Sequence, residues 1–179
     1  MGKSKIKKQK NIIPGNFFIT KGSGNDNLEK HAGAQHIAMW NAGIANYNLM
    51  YYSSVLPSIS KELSIDDIDL PTPGSELKTI SATAIGRYGE YISAGIVYAW
   101  LYIDDSMEEK YMGLVCEVSG GYRLDDLESK LYEVIQNLYD KTYKTKGLIM
   151  GEPKITMEGL KIEDTYGCAM VSLCFVDFD

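Results

Sequence analysis

The chain has 179 residues, 45% of them hydrophobic, which suffices for a buried core at a length that favours one domain. A formal net charge of -6 excludes a nucleic-acid binder that works through an overall basic surface. The longest apolar run, Tyr91 to Ile103, falls short of the roughly 20 residues a membrane helix needs, so a soluble, cytoplasmic protein with no membrane or nucleic-acid partner is expected.

The opening MGKSKIKKQK reads as a basic, mobile arm covering residues 1–15. Ile6 stands where a myristoylation signal wants Ser or Thr, and the stretch lacks the apolar core of a secretion signal. NFFITKG then predicts a short strand running into GSGND, a glycine turn that does not fit the phosphate-binding glycine patterns. LEKHAGAQHIAMWNAG has helical composition and Gly43 to stop it, and NYNLMYYS predicts a strand. The acidic stretch from Pro57 to Glu76 holds Pro71 and Pro73 and is read as an irregular connector.

Beyond it, LKTISATAIG and the run to Ile103 are rich in β-branched residues and predict strands, as does KYMGLVCEVSGGY, closed by Gly120 and Gly121. The clearest helix is Arg123 to Tyr143, where Leu124, Leu127, Leu131, Val134, Ile135 and Leu138 recur at three- and four-residue steps. Two final strands are expected around KITMEGLKIED and CAMVSLCFVDF. Strands outnumber helices, and helical stripes must bury themselves on a sheet, so the class is α+β, mainly antiparallel. Cys116, Cys168 and Cys174 lie in apolar strand contexts and read as buried thiols of a reducing compartment. His31 and His36 have no partners at metal-ligand spacing, so no metal site is expected.

The segment NLMYYSSVLP holds two adjacent serines, Ser53 and Ser54, ahead of Pro57. In the ordinary reading a strand ends there and serines begin a turn. A second reading comes from the wider run NAGIANYNLMYYSSVLP, which resembles the self-processing region of the pyruvoyl-dependent arginine decarboxylases. GEYISAGIVYAW and MGLVCEVSG resemble that family's central strands, the second with its glutamate, Glu117, and YGCAMVSLCF resembles its last strand. The resemblance runs from about Asn16 to the end of the chain, in the same order.

The resemblance implies a four-layer α-β-β-α sandwich over residues 16–179, assembled as a homotrimer or a dimer of trimers with active sites between subunits. It also implies self-cleavage between Ser53 and Ser54 into fragments 1–53 and 54–179. Ser54 Oγ would attack the Ser53 carbonyl, and elimination and hydrolysis would turn Ser54 into a pyruvoyl group. An oxyanion donor is required, and the resemblance assigns that assistance to Asn48, whose alternative is an ordinary turn asparagine. The pyruvoyl group would form a Schiff base with an amino acid substrate and act as electron sink for decarboxylation. Glu117, among apolar neighbours in LVCEV, would return the proton to carbon; its alternative is a polar-face residue of an alternating strand.

The implied activity is decarboxylation of arginine to agmatine, as in polyamine synthesis or acid resistance. His36 and Met39 of the first helix would meet the substrate. His36 stands where the family carries an aspartate for the guanidinium, and an imidazole cannot supply a carboxylate fork. Three readings stay open: Asp26, Glu29 or a neighbouring subunit supplies the acid, the substrate is another amino acid, or His36 is only a surface residue. A non-catalytic binding protein of the same fold is the remaining alternative.

Overall fold

Runs of apolar and β-branched residues build the long strands, and they assemble into two sheets in a computed structural model that describes residues 12–178. Residues 1–11 of the predicted arm lie outside the described residues. Within the remainder of the arm, Pro14 bridges to Phe178 and Gly15 N donates to Asp177 O at 2.9 Å, so the chain is tied to its C-terminal end from Pro14 onward.

Nine strands and two α-helices occur among the described residues: β1 (Phe17–Asp26), α1 (His36–Asn41), β2 (Asn48–Tyr51), β3 (Val55–Pro57), β4 (Glu76–Arg87), β5 (Tyr91–Tyr102), β6 (Lys110–Gly120), α2 (Leu124–Thr142), β7 (Ile149–Met150), β8 (Lys154–Lys161) and β9 (Tyr166–Phe175). The first sheet runs β1-β9-β4-β2. The second runs β3-β6-β5-β7, with β8 also pairing β5. Only the β2–β4 pairing among these strands is parallel, so the mixed, mainly antiparallel α+β class is as expected.

The period of two sorts each strand into two faces. On β6, Val115 joins a core shared with Ile80, Ile96, Val171 and Leu173 of both sheets, while Leu114 and Cys116 turn to the other face and pack with α2. Helix α2 meets that face through Leu127, Leu131, Ile135 and Tyr139, spaced four apart; Leu124 and Leu138, counted in the expected stripe, lie at its exposed margins. On the first sheet, Phe18, Leu77 and Cys174 pack under α1 with Ala38 and Ala42.

One expectation is overturned. GSGND is not a turn: β1 continues through Asp26, paired with β9 to Tyr166. Its glycines serve the approach of the first helical segment, because a Cβ on Gly24 would stand 2.7 Å from the Ile37 side chain and 2.8 Å from Ala34 O. That segment begins with a π-helical stretch, Lys30–Gln35, before α1, and Gly43 follows with φ 75, a left-handed conformation suited to glycine. The connector after Pro57 is irregular apart from a parallel bridge of Glu62 to Phe17 and one 3-10 turn, Ile65–Asp67.

The three thiols are buried, as expected. Burial first, and the charge of Glu117 second, push Cys116 up to about 11, and burial pushes Cys168 up to about 12. Tyr98 crosses the shared core with its ring edge-on to Phe17 at 5.6 Å, and its hydroxyl donates to Glu62 Oε2 at 2.6 Å. Burial and then that carboxylate raise its phenol well above the ordinary range. No helix among the described residues is long and apolar enough to cross a membrane.

Candidate active site

Ser53 and Ser54 stand where the chain passes from one sheet to the other. Tyr52 N still donates to Thr79 O of β4 at 2.7 Å, and Tyr52 packs its ring 5.8 Å from Phe175. From Val55 the chain belongs to β3, paired with β6 in the register Val55↔Leu114. Pro57 closes this short edge strand, where a missing N–H is tolerated.

The crossover is fastened on both sides of Ser54. Val55 N donates back to Ser53 O at 2.8 Å, and Val115 N donates to Ser54 O at 3.2 Å. Ser54 Oγ donates to Glu117, with Oε1 and Oε2 both at 2.8 Å. A single hydroxyl proton between two carboxylate oxygens is the arrangement in which the serine is donor and the carboxylate acceptor. Glu117 is half-buried, paired with Ile96 of β5, and shares the inner face of β6 with Val115. The arrangement can take a proton from a serine oxygen that is adjacent, through one peptide bond, to the carbonyl of Ser53.

The other predicted residues lie elsewhere in this chain. Asn48 opens β2, exposed, and its amide donates to Gly74 O at 2.7 Å rather than to the Ser53 carbonyl. His36 is exposed at the first position of α1, and Met39 packs into the core under that helix. Both sit on the outer face of the first sheet, whereas Ser54 and Glu117 meet on the side of β6 that faces the shared core. The alternative acids are engaged locally: Asp26 Oδ2 accepts from the backbone of Leu28 and Glu29, and Glu29 Oε1 caps Lys30 and His31. Sequence reasoning missed the Val55 N–H, a main-chain group with no residue signature.

A model of the family described as pyruvoyl-dependent arginine decarboxylase (PvlArgDC) matches residues 16–179. The chain belongs to the pyruvoyl-dependent arginine decarboxylase family. A pyruvoyl-dependent arginine decarboxylase of Picrophilus torridus is similar, 29% identical over 130 residues that cover 68% of each chain. Membership of this family makes the chain a carboxy-lyase acting on a small molecule, with a covalent pyruvoyl group as its cofactor. The Ser54–Glu117 pair fits such a group, because a pyruvoyl decarboxylase needs a serine precursor with a base in hydrogen-bond reach of its oxygen.

Proposed function

We propose that this member of the family is made as a precursor, cleaves itself between Ser53 and Ser54, and decarboxylates arginine to agmatine and carbon dioxide. The observation that carries the reading is Ser54 Oγ at 2.8 Å from both oxygens of Glu117, a geometry fit for general-base work. Glu117 takes the Oγ proton as Oγ closes on the Ser53 carbonyl carbon. The peptide then becomes an ester, elimination of the Ser53 carboxylate leaves fragment 1–53 and a dehydroalanine at position 54, and its hydrolysis by water, with release of ammonia, leaves fragment 54–179 headed by the keto group. Asn48 is assigned to assisting this processing from β2, where its bond to Gly74 fixes the approach to the serines.

When formed, the pyruvoyl group at position 54 supplies the electron sink for loss of carbon dioxide. Glu117, relieved of the serine hydroxyl, is left to hold the proton that the product carbon needs. We assign residues 16–179 to one four-layer α-β-β-α domain that assembles as a homotrimer or a dimer of trimers. His36, exposed on the outer face of one protomer, then reaches the substrate of a neighbour, with Met39, packed beneath the same helix, holding that helix in place.

Decarboxylation of another amino acid is a second reading, favoured by the exposed imidazole of His36 at the position of the family's aspartate. The test is the denatured intact mass of the parent and of Ser54→Ala, followed by product analysis with arginine, ornithine, lysine, histidine, aspartate and glutamate, with His36→Asp alongside. Two fragments dividing at Ser53-Ser54, absent in Ser54→Ala, and agmatine from arginine support the proposal. A persistent single chain refutes processing and points to a binding protein of this fold. Turnover of another amino acid in place of arginine refutes the substrate.

A further inference from the structure

The hydrogen bond from Val55 N to Ser53 O spans only two residues, which makes Ser54 the centre of a γ-turn. Met107 is the one residue other than glycine with positive φ among the described residues, so the turn at Ser54 is of the inverse kind, which costs little strain. Its effect on the scissile peptide is specific. The carbonyl oxygen of Ser53 is the atom on which negative charge collects when Ser54 Oγ adds to the carbonyl carbon, and the Val55 N–H already points at it from 2.8 Å.

This donor is spent on the turn and not on the sheet. β3 is fastened to β6 here by a different bond, Val115 N to Ser54 O at 3.2 Å. Three polar groups around the peptide are thus fixed before reaction: the Ser53 carbonyl by Val55 N–H, the Ser54 hydroxyl by Glu117, and the Ser54 carbonyl by Val115 N–H. The side-chain amide that sequence reasoning nominated, Asn48, is occupied at Gly74.

We propose that the backbone N–H of Val55 is the oxyanion donor for self-cleavage, a role that rests on the processing reading above. In this step the Oγ–C bond to Ser53 forms while the Oγ proton passes to Glu117. The carbonyl π pair moves onto Ser53 O, where the hydrogen bond from Val55 strengthens as it becomes charge-assisted. The pair then returns, the C–N bond to Ser54 breaks, and Glu117 gives the proton to the departing nitrogen, leaving ester and free amine with nothing oxidised or reduced. A donor whose bond is stronger in the charged intermediate than in the ground state accelerates the step, and loss of one such donor costs about 10²–10³-fold.

The test replaces the Val55 nitrogen by oxygen, using the α-hydroxy analogue of valine incorporated at position 55 of the full chain. Val55→Pro is a second donor-free variant and Val55→Ile a control that keeps the N–H. Cleavage at Ser53-Ser54 is followed by intact mass, and hydroxylamine traps the Ser53 ester, so that acyl shift and elimination are read separately; circular dichroism checks the fold. The expected result is parental behaviour for Val55→Ile, with cleavage and trapped ester both falling by about 10²–10³-fold when the N–H is absent. Parental trapping in a folded hydroxy-acid variant overturns the proposal, even if Val55→Pro is slow. A parent that neither cleaves nor traps overturns the processing reading itself, and this role with it.

Discussion

Glu117→Gln isolates the base. The substitution keeps the size and one carbonyl-type acceptor of the side chain, but it removes the group that can accept the Ser54 proton. Both carboxylate oxygens lie 2.8 Å from Oγ, so no reorganisation is needed before transfer, and the full general-base contribution of about 10²–10⁴-fold is at stake. At about 1.4 kcal/mol per tenfold, this raises the barrier to cleavage by ~3–5 kcal/mol. The assay is the fraction of chain divided at Ser53-Ser54 against time, by denatured intact mass, in purified precursor. A local control is available in Cys116, whose thiol is held up partly by the charge of Glu117; its titration moves down when that charge is removed, whatever happens to cleavage. If the thiol moves and the variant still cleaves at the parental rate, the base assignment is refuted.

Other perturbations test the frame around the site. Leu131→Ala, at a fully buried position of α2, is expected to cost about 2–5 kcal/mol in denaturant unfolding. A loss below 1 kcal/mol would mean that α2 does not seal its sheet as described. Gly22→Ala puts a methyl 2.6 Å from the backbone nitrogen of Ala42, where rigid backbone cannot yield, and is expected to destabilise by about 1–3 kcal/mol; a neutral outcome contradicts the close seating of α1 on β1. Stability should also fall on the alkaline side. Cys168 is raised from 9.0 to about 12 in the fold, so its contribution is complete below pH 9 and is lost as pH rises from there toward 12. Cys168→Ala is therefore expected to flatten the decline in unfolding free energy by about 1.4 kcal/mol per pH unit in that window, and an unchanged slope refutes it.

What could be read from the sequence divides along a physical line. Helix α2 is legible because its apolar residues repeat with a period that one element sets by itself, and the long strands because they are runs rich in apolar and β-branched residues. GSGND was misread because composition cannot tell a glycine that bends the chain from one that makes room; Gly24 does the second, for a helix whose approach is a tertiary fact. The serine pair was legible as a break and, by resemblance, as a cleavage site, but its partner is 63 residues away and nothing local specifies the meeting. That meeting depends on register. Val55 pairs with Leu114, and Glu117 lies on the same face of β6 as Val115, the residue whose N–H holds Ser54 O. A slip of one residue along β6 would bring Cys116 or Val118, which face α2, to the place of Glu117 and leave Ser54 without a base. The short strand β3, only Val55 to Pro57, holds that register with Leu56 buried against Gly113, where an added Cβ would stand 2.8 Å from the leucine. The chemistry at Ser54 is therefore tied to a packing contact that carries no catalytic residue at all.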